Sequence, residues 1–239
     1  MKPILFSTQM IRAIMDGKKS VTRRVVKQQP DNEHFADGCP YTKTGWALWK
    51  KGNLPGTIPH DGCTCTPVSC PYQPGDILWV QETWKVDSVD DANHEMIIVL
   101  KAAAAGYMNT AVICKFTEER YLKFRKFYQK PGWQSPYFMP REAARLFLLV
   151  EDVRVERLQE IGEADARAEG IKSYWAEPHR DDAPFIGAAK EIGADLCFTR
   201  REAFQQLWDY INAKRDYPWV SNPYVWVISF ERTERPVTP

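Results

Sequence analysis

The amino-acid sequence predicts an α+β fold with a small barrel as its core, and three observations lead there. Several stretches read as strands, of which Ile77 to Val86, Leu146 to Val155 and Tyr224 to Phe230 are the clearest. These strands follow one another without regular alternation, separated by a few helical segments, which points away from a parallel doubly wound sheet. A chain of 239 residues, 44% hydrophobic and 13% aromatic, can also bury a sizeable core, as one elaborated domain or two small ones.

Taken in order, Ser7 or Thr8 can cap a first helix whose Ile11, Ile14 and Met15 share a face, and Gly17 supplies a left-handed stop. Val21 to Val26 reads as extended. Residues 31 to 75 are rich in Pro, Gly, Asp, Thr and Cys with little periodicity, and are expected to form a long irregular insertion. Gln73-Pro-Gly-Asp76 closes it as a turn before the strand from Ile77. Met96 to Val112 mixes an apolar run with Ala102 to Ala105, and its second half fits strand or helix equally. After the strand from Leu146, Glu163 to Glu169 reads as a short helix ended by Gly170. Residues 172 to 197 form a charged, irregular insertion. Thr199-Arg-Arg-Glu202 is a capping box, followed at helical spacing by Phe204, Leu207, Trp208 and Ile211.

The formal charge of +1 excludes attraction of the whole molecule to nucleic acid, so any such binding must come from a local patch. Residues 12 to 27 supply one, with Arg12, Lys18, Lys19, Arg23, Arg24 and Lys27 against Asp16 alone. Residues 115 to 130 supply a second basic stretch, which also fits a solvated face. No apolar run approaches the roughly 18 residues that span a bilayer, and the start reads as no signal peptide, so the expected location is cytoplasmic, with no membrane partner.

Within the first patch, Lys19 and Thr22 lie three apart, so they converge only if the turn after Gly17 bends. A threonine hydroxyl is a weak nucleophile that needs a neighbouring base. For Lys19 to be that base its pKa must fall from about 10.4 toward 7 to 8, a differential stabilisation of about 4 kcal/mol. A solvated Lys-Lys turn is the plainer alternative. Arg23 and Arg24 are adjacent, so on a strand one points inward, where it needs either a carboxylate or an anionic ligand such as phosphate. On the strand from Ile77, Leu78, Val80, Glu82 and Trp84 share a face. Glu82 can pair with Arg23 or Arg24, or accept from an exocyclic amine while Trp84 stacks on the base. Glu169 closes its helix where the macrodipole disfavours a carboxylate, with Asp165 one turn earlier.

Cys39, Cys63, Cys65 and Cys70, with His60, can form a structural zinc site, although the Cys63-Thr-Cys65 spacing is irregular for one, and ordinary reduced thiols are the plainer reading. Otherwise no cofactor is expected. Phosphate-cradling glycine loops, Gly-x-Ser-x-Gly elbows and His-Glu-x-x-His pairs are missing from the sequence, which disfavours those reaction classes.

Three segments together, Gly17-Lys-Lys-Ser-Val-Thr-Arg-Arg24, Pro74-Gly-Asp-Ile-Leu-Trp-Val-Gln-Glu-Thr-Trp84 and Asn222-Pro-Tyr-Val-Trp-Val-Ile-Ser-Phe230, resemble ASCH-domain proteins of the long phage and prophage type. The resemblance implies a single PUA-like domain over residues 1–239, a small β-barrel with flanking helices, whose relatives bind RNA or modified bases. Small members of the family hydrolyse the amide of N4-acetylcytidine with a lysine and a threonine in a Gly-x-Lys-x-x-Thr segment and a later glutamate. Gly17, Lys19 and Thr22 match that segment, and Glu169 takes the glutamate's place. By that resemblance Lys19, Thr22 and Glu169 are the candidate catalytic residues of an amidohydrolase, Arg23 and Arg24 hold ribose, phosphate or oxyanion, and the partner is RNA or a modified nucleoside. A non-catalytic RNA or modified-base binding module is the alternative. The chain is far longer than the small enzymes, with insertions at about 31–75, 87–132 and 172–197.

Overall fold

Apolar runs spread over most of the chain meet in one five-stranded sheet. The computed structural model describes residues 1–27, 29, 35–36, 47–50, 58–60, 63–67, 70–103, 111–171 and 199–236, with side chains described outside 30–69 and Ala103. The sheet joins β1 (Lys2–Leu5), β7 (Ile77–Gln81), β11 (Phe147–Arg157), β12 (Tyr224–Thr233) and β2 (Val21–Val25) in that order. Only β1 and β7 run parallel; the other neighbours are antiparallel.

Four strand spacings of about 4.8 Å would hold the edge strands β1 and β2 roughly 19 Å apart in a flat sheet. Arg24 on β2 nevertheless donates through Nη2 to the Leu5 carbonyl at the end of β1, at 2.5 Å. The sheet therefore curls until its edges nearly meet, as the right-handed twist of strands favours. Among the described residues no backbone pairing joins the two edges, so the curl stays open. Helix α1 (Thr8–Met15) runs from one edge to the other and lays Ile11 and Ile14 into the curl beside Ile4, Leu78, Val80, Leu148, Val150, Ile228 and Phe230. Its first turn is capped by the Ser7 hydroxyl, which accepts from the Met10 amide, and Gly17 stops it at φ +69.

The expected strand from Ile77 to Val86 is in fact two. The chain leaves the first sheet at Glu82 and Thr83 and enters β8 (Trp84–Asp90), which pairs with β9 (Glu95–Leu100), itself paired with β10 (Ala111–Lys115). Leu78 and Val80 thus face the first core, whereas Trp84 enters a second one built from Met96, Ile98, Leu100 and Phe116 with Tyr121 and Phe124 of α2 (Glu118–Arg125). The insertion at 87–132 holds most of that second core rather than loop. Residues 31 to 75, read as irregular, contain β3 (Phe35–Ala36), β4 (Ala47–Lys50), β5 (Ile58–His60) and β6 (Cys63–Pro67), paired as an antiparallel sheet in the order β3-β4-β6-β5. Strands of two to five residues are shorter than the window over which periodicity declares itself. The insertion at 172–197 lies outside the described residues.

A third core lies on the other face of the curled sheet. Val21, Val225 and Val227 meet Leu158, Ile161, Ala166 of α3 (Glu163–Ala168), Phe204 and Trp208 of α4 (Arg200–Asn212), and Trp219. The Thr199 capping box forms as the sequence predicts, with the hydroxyl accepting from the Glu202 amide and the Glu202 carboxylate from the Thr199 amide. The molecule is thus α+β. Among the described residues no helix is long and apolar enough to cross a membrane.

Candidate functional site

Lys19 sits where α1, β2 and α3 converge. Past Gly17 the backbone turns inward: the Lys18 and Lys19 amides donate to the Ala13 carbonyl, the Ser20 amide to the Ala168 carbonyl, and Lys19 bridges Glu169. That path supplies the bend that the Lys19 and Thr22 spacing requires, although no hydrogen bond joins the two side chains. The Lys19 side chain is fully buried, and its ammonium has three acceptors: the Val21 carbonyl at 2.7 Å, the Glu169 carbonyl at 3.0 Å and Glu169 Oε2 at 2.5 Å. Three N–H groups meeting three acceptors satisfy the charged form completely. The ammonium also occupies the C-terminal end of α3, so it offsets the macrodipole that would otherwise disfavour Glu169 there.

Burial holds the Lys19 pKa below its ordinary 10.5; Glu169 opposes that, and the nearby Arg24 and Arg23 charges add to it. Desolvation outweighs the single paired carboxylate because no water reaches Nζ. Thr22 follows on β2, 4% exposed, and among the described residues its hydroxyl makes no hydrogen bond. The Val21 carbonyl that accepts from Lys19 belongs to the peptide unit that enters Thr22.

Strand register separates the two arginines. Arg23 lies opposite Val227 on the face of the third core, while Thr22 and Arg24 lie opposite Ile228 and Trp226 on the face of the first. Arg23 is buried in a cage of carboxylates: Nη2 approaches Glu156 at 3.1 Å and Asp165 at 3.2 Å, and Nη1 approaches Glu169 at 3.4 Å. Arg154 closes the network on Glu156 at 2.5 Å and on Asp165 at 3.7 Å. Lys19, Arg23 and Arg154 thus balance Glu156, Asp165 and Glu169. Of the two alternatives for an inward arginine, Arg23 takes the internal one.

Arg24 lies outside this balance. Among the described residues it has no carboxylate partner; it donates to the Leu5 carbonyl and stands 5.3 Å from the centre of the Phe6 ring, which also has the Lys19 ammonium at 5.8 Å. Burial depresses its pKa, and the more distant charges of Tyr72 and Glu169 oppose that only in part. A half-buried guanidinium on the Thr22 face, with no ion-pair partner among the described residues, has the chemistry to meet an anionic or carbonyl-bearing group.

Glu82 and Trp84 stand elsewhere. Glu82 has no exposed side chain and is held by Arg145, with Nε to Oε1 at 3.0 Å and Nη2 to Oε2 at 2.9 Å, so neither Arg23 nor Arg24 is its partner. Each of its oxygens already accepts from one arm of the guanidinium fork. Trp84 has no exposed surface, donates through Nε1 to the Ser135 carbonyl and packs on Phe127 at 5.1 Å. It has no ring face to offer a base, because the break after Gln81 turns it into the second core. Of the four cysteines considered for metal, Cys70 is buried in the first core with its thiol pushed up to about 11 by that burial. The side chains of Cys39, Cys63, Cys65 and His60 lie outside the described residues. Among the described residues no group of three or more His, Cys, Asp or Glu is arranged to hold a metal.

Glu156, Asp165, Arg154 and Gly170 were missed as site residues. One signal for Arg154 and Glu156 was present: in Leu148-Leu-Val-Glu-Asp-Val-Arg-Val-Glu156 the inward apolar positions change from even to odd numbers. A bulge between Val150 and Asp152 makes that change, turning Arg154 and Glu156 to the outer face with Arg23. Gly170 holds φ +88, and a Cβ there would meet Ala13 Cβ at 3.0 Å and Lys19 Cβ at 3.1 Å. Gly170→Ala should therefore cost at least about 1–2 kcal/mol from the left-handed backbone alone, and push Lys19 off Glu169. In a thermal melt the midpoint should drop by several degrees; an unchanged midpoint would show that the junction yields freely.

Family models, curated proteins and solved structures were all compared with the chain, and none of them matches it.

Proposed function

We propose that the chain acts on a modified nucleoside or nucleic acid, hydrolysing an N4-acylated cytidine amide with Thr22 as nucleophile and Lys19 as its base. In this reading the open curl of the five-stranded sheet is a PUA-like barrel of the ASCH type. The observation that carries the proposal is the buried Lys19–Glu169 pair, one peptide unit from an unpartnered Thr22 hydroxyl and beside an arginine with no carboxylate.

The chemistry follows from the proton. Passing it from Lys19 to Glu169 across 2.5 Å leaves a neutral amine and a carboxylic acid, a transfer that a desolvated pair allows. The amine then takes the Thr22 proton as the hydroxyl oxygen attacks the acyl carbon. Arg24 steadies the oxyanion. When the C–N bond breaks, Glu169 returns a proton to the cytosine amine. Water next cleaves the acyl-threonine ester, releasing the acid and restoring the hydroxyl.

The complete saturation of the Lys19 ammonium favours a second reading, a non-catalytic module in which the pair is structural and Arg24 contacts the phosphate or base of bound RNA. Incubation with N4-acetylcytidine, scored by cytidine release, separates the two. Turnover is expected in the wild type and none in Thr22→Ala. Turnover that survives both Thr22→Ala and Lys19→Met would overturn the site. A wild type without turnover whose salt-dependent RNA binding is weakened by Arg24→Ala would establish the module instead.

A further inference from the structure

The region from Trp84 to Phe138 carries a surface that shares no residue with the Lys19 centre. Helix α2 and the turn after it bury Tyr121, Phe124 and Phe127 in the second core, so the residues between them face water, and these include Lys123 and Lys126. The backbone pairing of Trp84 with Gln134, and its indole bond to the Ser135 carbonyl, tie the next loop to the sheet. That loop presents Trp133, 39% exposed, with Lys85 Nζ at 5.7 Å and Lys101 Nζ at 5.9 Å from its ring centre. Phe127, packed on Trp84, has Lys130 Nζ at 5.0 Å and Lys126 Nζ at 5.7 Å, and its ring centre lies 6.2 Å from that of Phe138, 54% exposed. Tyr137, 70% exposed, meets the Phe138 ring edge-on at 5.3 Å.

The ion pairs of this region go to other residues. Arg120 is bound to Glu142 and Arg125 to Asp91, whereas among the described residues Lys85, Lys101, Lys126 and Lys130 have no carboxylate within 4.0 Å. Unneutralised ammonium groups therefore flank the exposed Trp133 ring and the Phe127 ring against which the exposed Phe138 packs. A membrane-seeking surface segregates an apolar face from a charged rim. Rings and cations interleaved at ring distance match instead the alternation of base and phosphate in an unpaired strand. Duplex nucleic acid hides the base faces that such rings would cover.

We propose that this surface docks single-stranded nucleic acid, with Trp133 and Phe138 stacking on bases and Lys85, Lys101, Lys126 and Lys130 meeting phosphates. Anisotropy of a fluorescein-labelled oligouridylate of about 12 nucleotides, titrated with the full chain at several salt concentrations, tests it. Trp133→Ala should weaken binding roughly tenfold or more, with Trp133→Phe restoring much of the loss and circular dichroism unchanged in both. The double variant Lys85→Ala/Lys101→Ala should lower the salt slope by roughly 1.4, two phosphate contacts on a single strand. The proposal is overturned if the wild type binds no oligouridylate at low salt, if it binds the duplex as tightly, or if all variants bind like the wild type. Capture by phosphatidylserine vesicles without oligouridylate binding would likewise overturn it. Because Trp133, Lys85 and Lys101 share no residue with the Lys19 centre, the affinity changes in their variants read this surface alone, independent of whether Thr22 and Lys19 hydrolyse anything.

Discussion

Glu169→Ala should destabilise the protein by about 3–5 kcal/mol at neutral pH, because it leaves the Lys19 ammonium buried without its counter-charge. Two carbonyl acceptors remain to Lys19, but neither carries a full charge, and Arg23 loses one of its three carboxylates. Removing both partners is a different experiment. Lys19→Met/Glu169→Leu eliminates the desolvation penalty together with the attraction, and should recover much of the loss while abolishing any turnover. Urea unfolding decides between them; a Glu169→Ala variant within about 1 kcal/mol of wild type would show that the pair is not a buried charge pair at all.

The same pair sets a pH dependence whose sign can be worked out. Burial holds the folded-state pKa of Lys19 below the ordinary 10.5 that applies in the unfolded chain. Between those two values the unfolded state binds more protons, so the contribution of Lys19 to stability rises as pH increases through that window. Below it, the cost of keeping the ammonium dry is fully present. Glu169 is the group that raises the Lys19 pKa, so in Glu169→Ala the rise should begin at a lower pH and part of the lost stability should return on the alkaline side. Subtracting the profile of Lys19→Met, which lacks the titrating amine, isolates this contribution from the tyrosines and cysteines that titrate nearby.

Arg145→Ala should be as damaging, again about 3–5 kcal/mol, for the same reason at a different place. The Glu82 side chain has no exposed surface and its two oxygens take both forks of the Arg145 guanidinium. Without the arginine, a carboxylate is left between the first two cores, at the point where the chain crosses from β7 to β8. For a chain of 239 residues that corresponds to a melting midpoint lowered by roughly 6–20 °C. Glu82→Gln should cost less, since Arg145 is 17% exposed and can turn to solvent. Equal midpoints for Arg145→Ala and wild type would mean that water already reaches Glu82.

Short-range groups alone set the local pieces of this protein. The Ser7 cap and Gly17 stop define α1, the Thr199 box defines α4, and the β-branched and aromatic run from Tyr224 defines β12, because each is set by groups within about four residues of one another. The basic turn after α1, and the need for it to bend, were legible for the same reason. Which charge meets which was set by the packing of distant strands and helices. Arg23 finds Glu169 across 146 residues of chain, Glu82 finds Arg145 across 63, and Arg24 is left without a carboxylate, through strand register and one bulge in β11 rather than through any local pattern. Trp84 changed its expected role in the same way: a two-residue break after β7 moved it from a ligand-facing strand into a core. Register converts a shift of one residue into the opposite face of a sheet, so neither pairing nor exposure at such positions can be read until the neighbouring strands are in place.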